Sequence, residues 1–110
     1  MPLSKRARIE IYLPTRNEAR YKRLRRAFER EFLHTFGGCT VIRGAKGIYL
    51  DSDGGEETDS IDLVYADAPI EFDDHIAELS RYADRLKAAV LEATEEESVL
   101  LVVHEIYHSV

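Results

Sequence analysis

Residues 99–110 read VLLVVHEIYHSV, and the conformation of this stretch decides the fold. Inside it, His104-Glu105-Ile106-Tyr107-His108 matches H-E-x-x-H, the pattern by which zinc proteases put two histidines and a glutamate on one face of a helix. That chemistry needs both imidazoles within about 2.0–2.1 Å of one ion, which one helical turn of separation provides. A strand rises about 3.3 Å per residue, so positions 104 and 108 would stand about 13 Å apart and could not share a metal. The apolar VLLVV run and the β-branched Ile106 beside Tyr107 favour a strand. The stretch is therefore expected to be a final strand, with no metal. His104 and His108 then share a face with Leu100, Val102 and Ile106, and Glu105 and Tyr107 share the other with Leu101 and Val103.

Working back from it, the acidic TEEE precedes this strand, and a helix comes before that. Ile76, Leu79, Ala83, Leu86 and Val90 make its apolar stripe, and Asp73 or Asp74 is its expected N-cap. Residues 60–66, SIDLVYA, alternate Ile61, Leu63 and Tyr65 with Asp62, Val64 and Ala66. Residues 39–50, CTVIRGAKGIYL, read as a strand interrupted by Gly44 and Gly47, which suggests a bulge. The polar DSDGGEETD between these two strands makes them a hairpin. Upstream, Tyr21, Leu24, Phe28, Phe32 and Phe36 recur at helical spacing over residues 16–36. Thr15 and Glu18 are placed for a capping box at the start of that helix, and Gly37-Gly38 for its end. Residues 8–13, RIEIYL, alternate as a half-buried strand closed by Pro14.

The order β-α-β-β-α-β predicts an α+β, ferredoxin-like plait: a four-stranded antiparallel sheet with two helices on one face. Residues 1–110 are expected to form one domain, with residues 1–7 as an N-terminal arm. No run approaches the roughly 20 apolar residues that span a bilayer, and no apolar leader stretch opens the chain, so a cytoplasmic protein is expected. The lone Cys39 excludes an internal disulfide and a cysteine zinc framework.

The net charge of −6 conceals an uneven distribution. Residues 1–30 hold ten Lys/Arg and three Asp/Glu, and residues 31–110 hold five and eighteen. A basic element beside an acidic remainder suits complementary patches between copies of the chain better than nucleic acid, which an acidic molecule repels. Arg20, Arg23, Arg26 and Arg30 form the basic face of the first helix, flanked by Lys22 and Arg25. They are candidates for binding phosphate or an acidic partner, weighed against a plain solvated face.

The acidic hairpin loop fails the EF-hand register, since Gly55 and Glu56 occupy the fifth and sixth positions counted from Asp51. It reads as a solvated turn. Lys46-Gly47-Ile48-Tyr49 is too short an aromatic stretch for an RNA-recognition motif, and Asp51 and Asp53 follow where phosphates would lie. Cys39 follows a helix C-terminus, the wrong end of the dipole for a reactive thiolate. No Ser-His-Asp set, P-loop or dinucleotide fingerprint is present in the sequence.

Phe36-Gly37-Gly38-Cys39-Thr40-Val41, with Gly44, Gly47-Ile48-Tyr49 and the acidic hairpin, resembles a group of small uncharacterised bacterial plait proteins whose first helix ends in Phe-Gly-Gly. The resemblance implies the fold and carries no activity. The element order is also similar to that of dimeric α+β-barrel proteins, which include small oxygenases and isomerases.

Two readings follow. In the first, the chain is a non-enzymatic, homo-oligomeric binding or regulatory module, open to a small-molecule or protein partner. Tyr12, Tyr49, His104 and His108 are then its ligand or interface residues. In the alternative it is a small-molecule enzyme, with His104 as acid/base in a pocket between sheet and helices. Neither reading calls for a cofactor, a membrane or a nucleic acid.

Overall fold

The computed structural model describes residues 3–96 and 98–108. The elements run β1 (Ser4–Pro14), α1 (Ala19–Phe36), β2 (Thr40–Leu50), β3 (Glu56–Ala68), a single 3-10 turn (Asp73–His75), α2 (Ile76–Ala93) and β4 (Leu100–His108). The four strands form one sheet in the order β2-β3-β1-β4, with every neighbouring pair antiparallel. This is the expected ferredoxin-like plait, and HEIYH lies in β4 as strand.

Both helices pack on one face of the sheet. Ala7, Ile9, Ile11 and Leu13 of β1 and Val64, Ala66 and Ala68 of β3 meet Leu24, Phe28 and Phe32 of α1 and Leu79, Leu86 and Val90 of α2. An aromatic ladder runs from Phe28 through Phe32 and Phe36 to Tyr82, with centroids 6.4, 5.8 and 5.6 Å apart. It ties α1 to α2 above the sheet.

Helix ends depart from expectation at three places. The capping box does not form. Glu18 is the N-cap of α1 without a side-chain cap bond, and Thr15 Oγ1 instead donates to Asp62 Oδ1 at 2.7 Å. A bond to a buried carboxylate is charge-assisted and outweighs a cap in water. Neither Asp73 nor Asp74 caps α2; both lie in the 3-10 turn, and His75 precedes the helix. Ile76 does not join the apolar stripe and is 52% exposed, while Ile70 and Phe72 of the preceding segment pack on the core in its stead. The C-terminus of α1 behaves as expected: Gly37 adopts φ 87° and its N–H reaches Leu33 O at 2.9 Å.

Strand β1 begins at Ser4, four residues before the alternation that predicts it, because Ser4 to Ala7 pair with His108 to Glu105. Residues 1 and 2 of the expected arm lie outside the described residues. In β2, Arg43 and Gly44 together oppose Asp62, between the pairs Ile42↔Leu63 and Ala45↔Ile61. This is the expected bulge, with Gly44 at φ 71°.

Strand β1 stops pairing with β3 at Pro14↔Ile61. Beyond that rung, residues 46–50 and 56–60 form a two-stranded ribbon that no third strand supports among the described residues. The ribbon lengthens the molecule to 46 Å along its long axis and raises the radius of gyration to 15.2 Å. A compact chain of this length has about 13 Å.

Candidate functional site: the uncovered face of the sheet

Side chains alternate across a strand, so the register assigns every residue to a face. The face away from the helices carries Arg6, Arg8, Glu10 and Tyr12 from β1 and Ile61, Leu63, Tyr65 and Asp67 from β3. The outer strands add Ile42 from β2 and Leu100, Val102, His104, Ile106 and His108 from β4. Among the described residues no helix or loop covers it, and Ile42 and Leu100 are exposed.

The charged groups at its centre satisfy one another. The Arg8 guanidinium donates to both oxygens of Asp67, at 2.6 and 3.1 Å, and lies 4.6 Å from the centroid of the Tyr65 ring. The hydrogen bond to Asp67 raises the pKa of Arg8 further, so it is charged at every accessible pH. Glu10 Oε1 accepts from Tyr12 O–H at 3.0 Å. Burial, with that bond second, raises the Tyr12 phenol above its ordinary value and keeps it a donor. Glu10 Oε2 lies 3.2 Å from His104 Nε2. The pair is close but not aligned for a hydrogen bond, and this nitrogen, shut off from solvent, has no other partner among the described residues. At the end of the strand pair, Arg6 Nε donates to His108 Nε2 at 2.9 Å.

The four expected site residues are thus brought onto one face, in two groups. Tyr12 and His104 meet through Glu10, while His108 sits with Arg6 further along β4. Tyr49 projects from the ribbon and shares with Tyr12 a groove of about 480 Å³ lined also by Leu13, Pro14, Lys46, Leu63 and Leu100. Glu10, Arg6, Arg8 and Asp67 are the residues sequence reasoning missed. The alternation of β1 puts the first three beside Tyr12, and only the strand register adds Asp67. His104 does not enter a space between sheet and helices, because the even positions of β4 face away from both helices. The pocket required by the enzymatic alternative is not where His104 lies.

The expected basic face is on the opposite side of the molecule. Arg23, Arg26 and Arg30 are exposed, whereas Arg20 pairs with Glu18 at 2.9 Å and Glu95 at 3.8 Å. Arg25 turns inward, to Glu29 at 3.2 Å and Asp62 at 3.5 Å. Cys39 is half-buried with Sγ 3.7 Å from Glu29 O, and burial, then Glu29, pushes its thiol pKa up. In the hairpin loop, Asp51 Oδ1 accepts from the N–H groups of Asp53 and Gly55 at 2.9 and 2.8 Å, so it closes the turn. No group of three or more His, Cys, Asp or Glu gathers to hold a metal among the described residues, and no helix among them is long and apolar enough to cross a membrane.

Neither a protein-family profile nor any curated protein matches the sequence. Solved structures do match its fold. CutA1 from Oryza sativa overlays with a TM-score of 0.58 at 17% identity, over 97% of this chain and 84% of that one. A CPII protein from Thiomonas intermedia, bound to ADP, AMP and acetate, gives 0.49 at 18% identity over 99% and 93%. The divalent cation tolerance protein CutA1 from Thermus thermophilus gives 0.45 at 14% identity over 90% and 82%. At such identities the likeness defines a class by fold alone. The chain is a small ferredoxin-like protein, and no family of known activity claims it.

Proposed function

We propose that this chain is a single-domain, non-enzymatic, homo-oligomeric binding or regulatory module, and that copies meet through the uncovered sheet face. The observation that carries this reading is the composition of that face. An antiparallel sheet with one wet side ordinarily turns polar residues outward, yet here Ile42, Ile61, Leu63, Leu100, Val102 and Ile106 face out. Of the charges among them, Arg8 and Asp67 neutralise one another, and Glu10 accepts a hydrogen bond from Tyr12. A paired charge costs far less to bury than a lone one, so this surface can lose its water. Tyr12 and Tyr49, on either side of the groove, are the side chains best placed to meet a small ligand, and its volume lies within the range of ligand sites.

Sedimentation at several protein concentrations tests the proposal. The wild type is expected to run as a multiple of 12.6 kDa. Val102→Asp, an unpaired charge set in the middle of the face, is expected to give a monomer with an unchanged far-ultraviolet spectrum. A wild type that stays monomeric throughout sinks the reading.

A further inference from the structure

The hairpin and the outer side of α1 carry opposite charges that neither satisfies within its own chain. Residues 51–59 contain five acidic and no basic side chains. Asp51 is engaged in closing the loop and Asp59 is 3.5 Å from Arg16, while Asp53, Glu56 and Glu57 are exposed. No ion pair engages those three, or Arg23, Arg26 and Arg30, among the described residues. Apolar surface accompanies both patches. On the ribbon, Ile48 and Leu50 share the side that bears Glu56, and they are 57% and 75% exposed. On the helix, Arg26 and Arg30 line a groove of about 540 Å³ together with Leu33, Gly38, Cys39 and Glu29, the last already paired with Arg25.

These surfaces cannot meet within one molecule. Cys39 immediately precedes the first residue of β2 and Leu50 is its last. Eleven residues of strand hold the groove and the hairpin tip about 36 Å apart. We propose that the hairpin tip of one copy docks on the outer face of α1 of a second copy, with Ile48 and Leu50 over the groove and Asp53 and Glu56 against Arg26 and Arg30. The contact joins unlike surfaces, so it propagates head to tail and closes into a ring or extends as a filament. It uses neither the sheet face nor any residue of the contact proposed above. Because its charges are exposed, it weakens as salt shortens the reach of each charge.

A charge-swap experiment tests the pairing. R26E/R30E and D53K/E56K are each made in the full chain, with folding checked by circular dichroism, and self-association is measured by sedimentation at low salt. Each variant alone is expected to associate at least about ten-fold more weakly than wild type, and an equal mixture of the two is expected to recover the wild-type mass. Wild-type association in either variant, or failure of the mixture to recover, overturns the docking. Val102→Asp, run in parallel, separates the two proposals. Loss of mass in Val102→Asp with wild-type mass in both charge variants leaves the sheet contact standing and removes the hairpin contact. The opposite pattern does the reverse.

Discussion

On its helix side the sheet presents Ala7, Ile9, Ile11, Val64, Ala66 and Ala68, all buried. On the other side the same two strands present Arg8, Glu10, Tyr12, Leu63, Tyr65 and Asp67, all half-buried. The side against the helices carries the smaller residues, three of them alanines, in the same core cluster as the bulky Phe28 and Phe32 of α1. The side without helices carries the larger ones. Core packing therefore does not account for the bulk of the open face, which is the side on which the proposed contact between copies lies. Asp62 is the exception on the helix side: a carboxylate 4% exposed at a position where its strand neighbours are apolar. Thr15 Oγ1 at 2.7 Å, the Gly44 N–H at 3.0 Å and Arg25 at 3.5 Å hold it there.

Substitutions on either side sharpen the contrast, beginning with the pair whose effects should differ most. Ile9→Ala empties a fully buried site and is expected to cost about 2–5 kcal/mol in urea denaturation. Leu63→Ala, on the opposite face of the neighbouring strand, is expected to cost under about 1 kcal/mol in dilute protein and to weaken self-association instead. Equal losses at both sites would mean the two faces do not differ.

Asp62→Ala comes next. It strips a buried carboxylate from Thr15, the Gly44 N–H and Arg25, and the expected loss is about 1.5–3 kcal/mol. The wild type should show the same interaction in its pH dependence. Burial alone would raise the Asp62 pKa, but the hydrogen bonds from Thr15 and Gly44, with Arg43 and Arg25, outweigh it and leave the pKa below its ordinary 3.8. A depressed folded pKa stabilises the protein above the unfolded value, and that contribution disappears as pH falls through the folded one. Between pH 6 and pH 3, Asp62→Asn should therefore lose less stability than wild type. Parallel curves would show that the carboxylate contributes nothing.

Gly44→Ala tests the bulge that Asp62 anchors. A Cβ there meets only Ser60 Oγ at 3.9 Å, so the cost is that of the positive φ of 71°, about 1–2 kcal/mol. Chemical denaturation reads it, and a wild-type midpoint would mean that the bulge relaxes freely. The smallest effect belongs to Asp67→Asn on the open face. The Arg8–Asp67 pair is 28% and 36% exposed, and water screens it to under about 1 kcal/mol, sensitive to salt.

The elements themselves were readable from periodicity. The alternation of residues 8–13, the three- and four-residue spacing from Tyr21 to Phe36, and the β-branched run before His104 are local signals, and each became the expected element. The orientation of β3 was not readable. By hydrophobicity, Ile61, Leu63 and Tyr65 would be the inward set, yet Asp62, Val64 and Ala66 point to the helices. The reason is non-local. The partners of Asp62 come from the β1–α1 turn, from α1 and from the bulge of β2, and only the assembled fold brings them to one carboxylate. The same Asp62 drew Thr15 away from the capping box that its spacing announces. Within the candidate site, the shared face of His104 and His108 followed from strand parity alone. The Glu10–His104 approach needed the β1–β4 register, which pairs residues almost a whole chain apart.

That register also fixes how the molecule would respond to a pull. Ser4 pairs with His108 at the first rung of the β1–β4 ladder, and the two strands run in opposite directions from there. Tension applied at these two residues would fall on one rung at a time, beginning with the neighbourhood of the Arg6–His108 bond. The sheet would open like a zipper and not shear as a block, so it offers little resistance to force along this one axis.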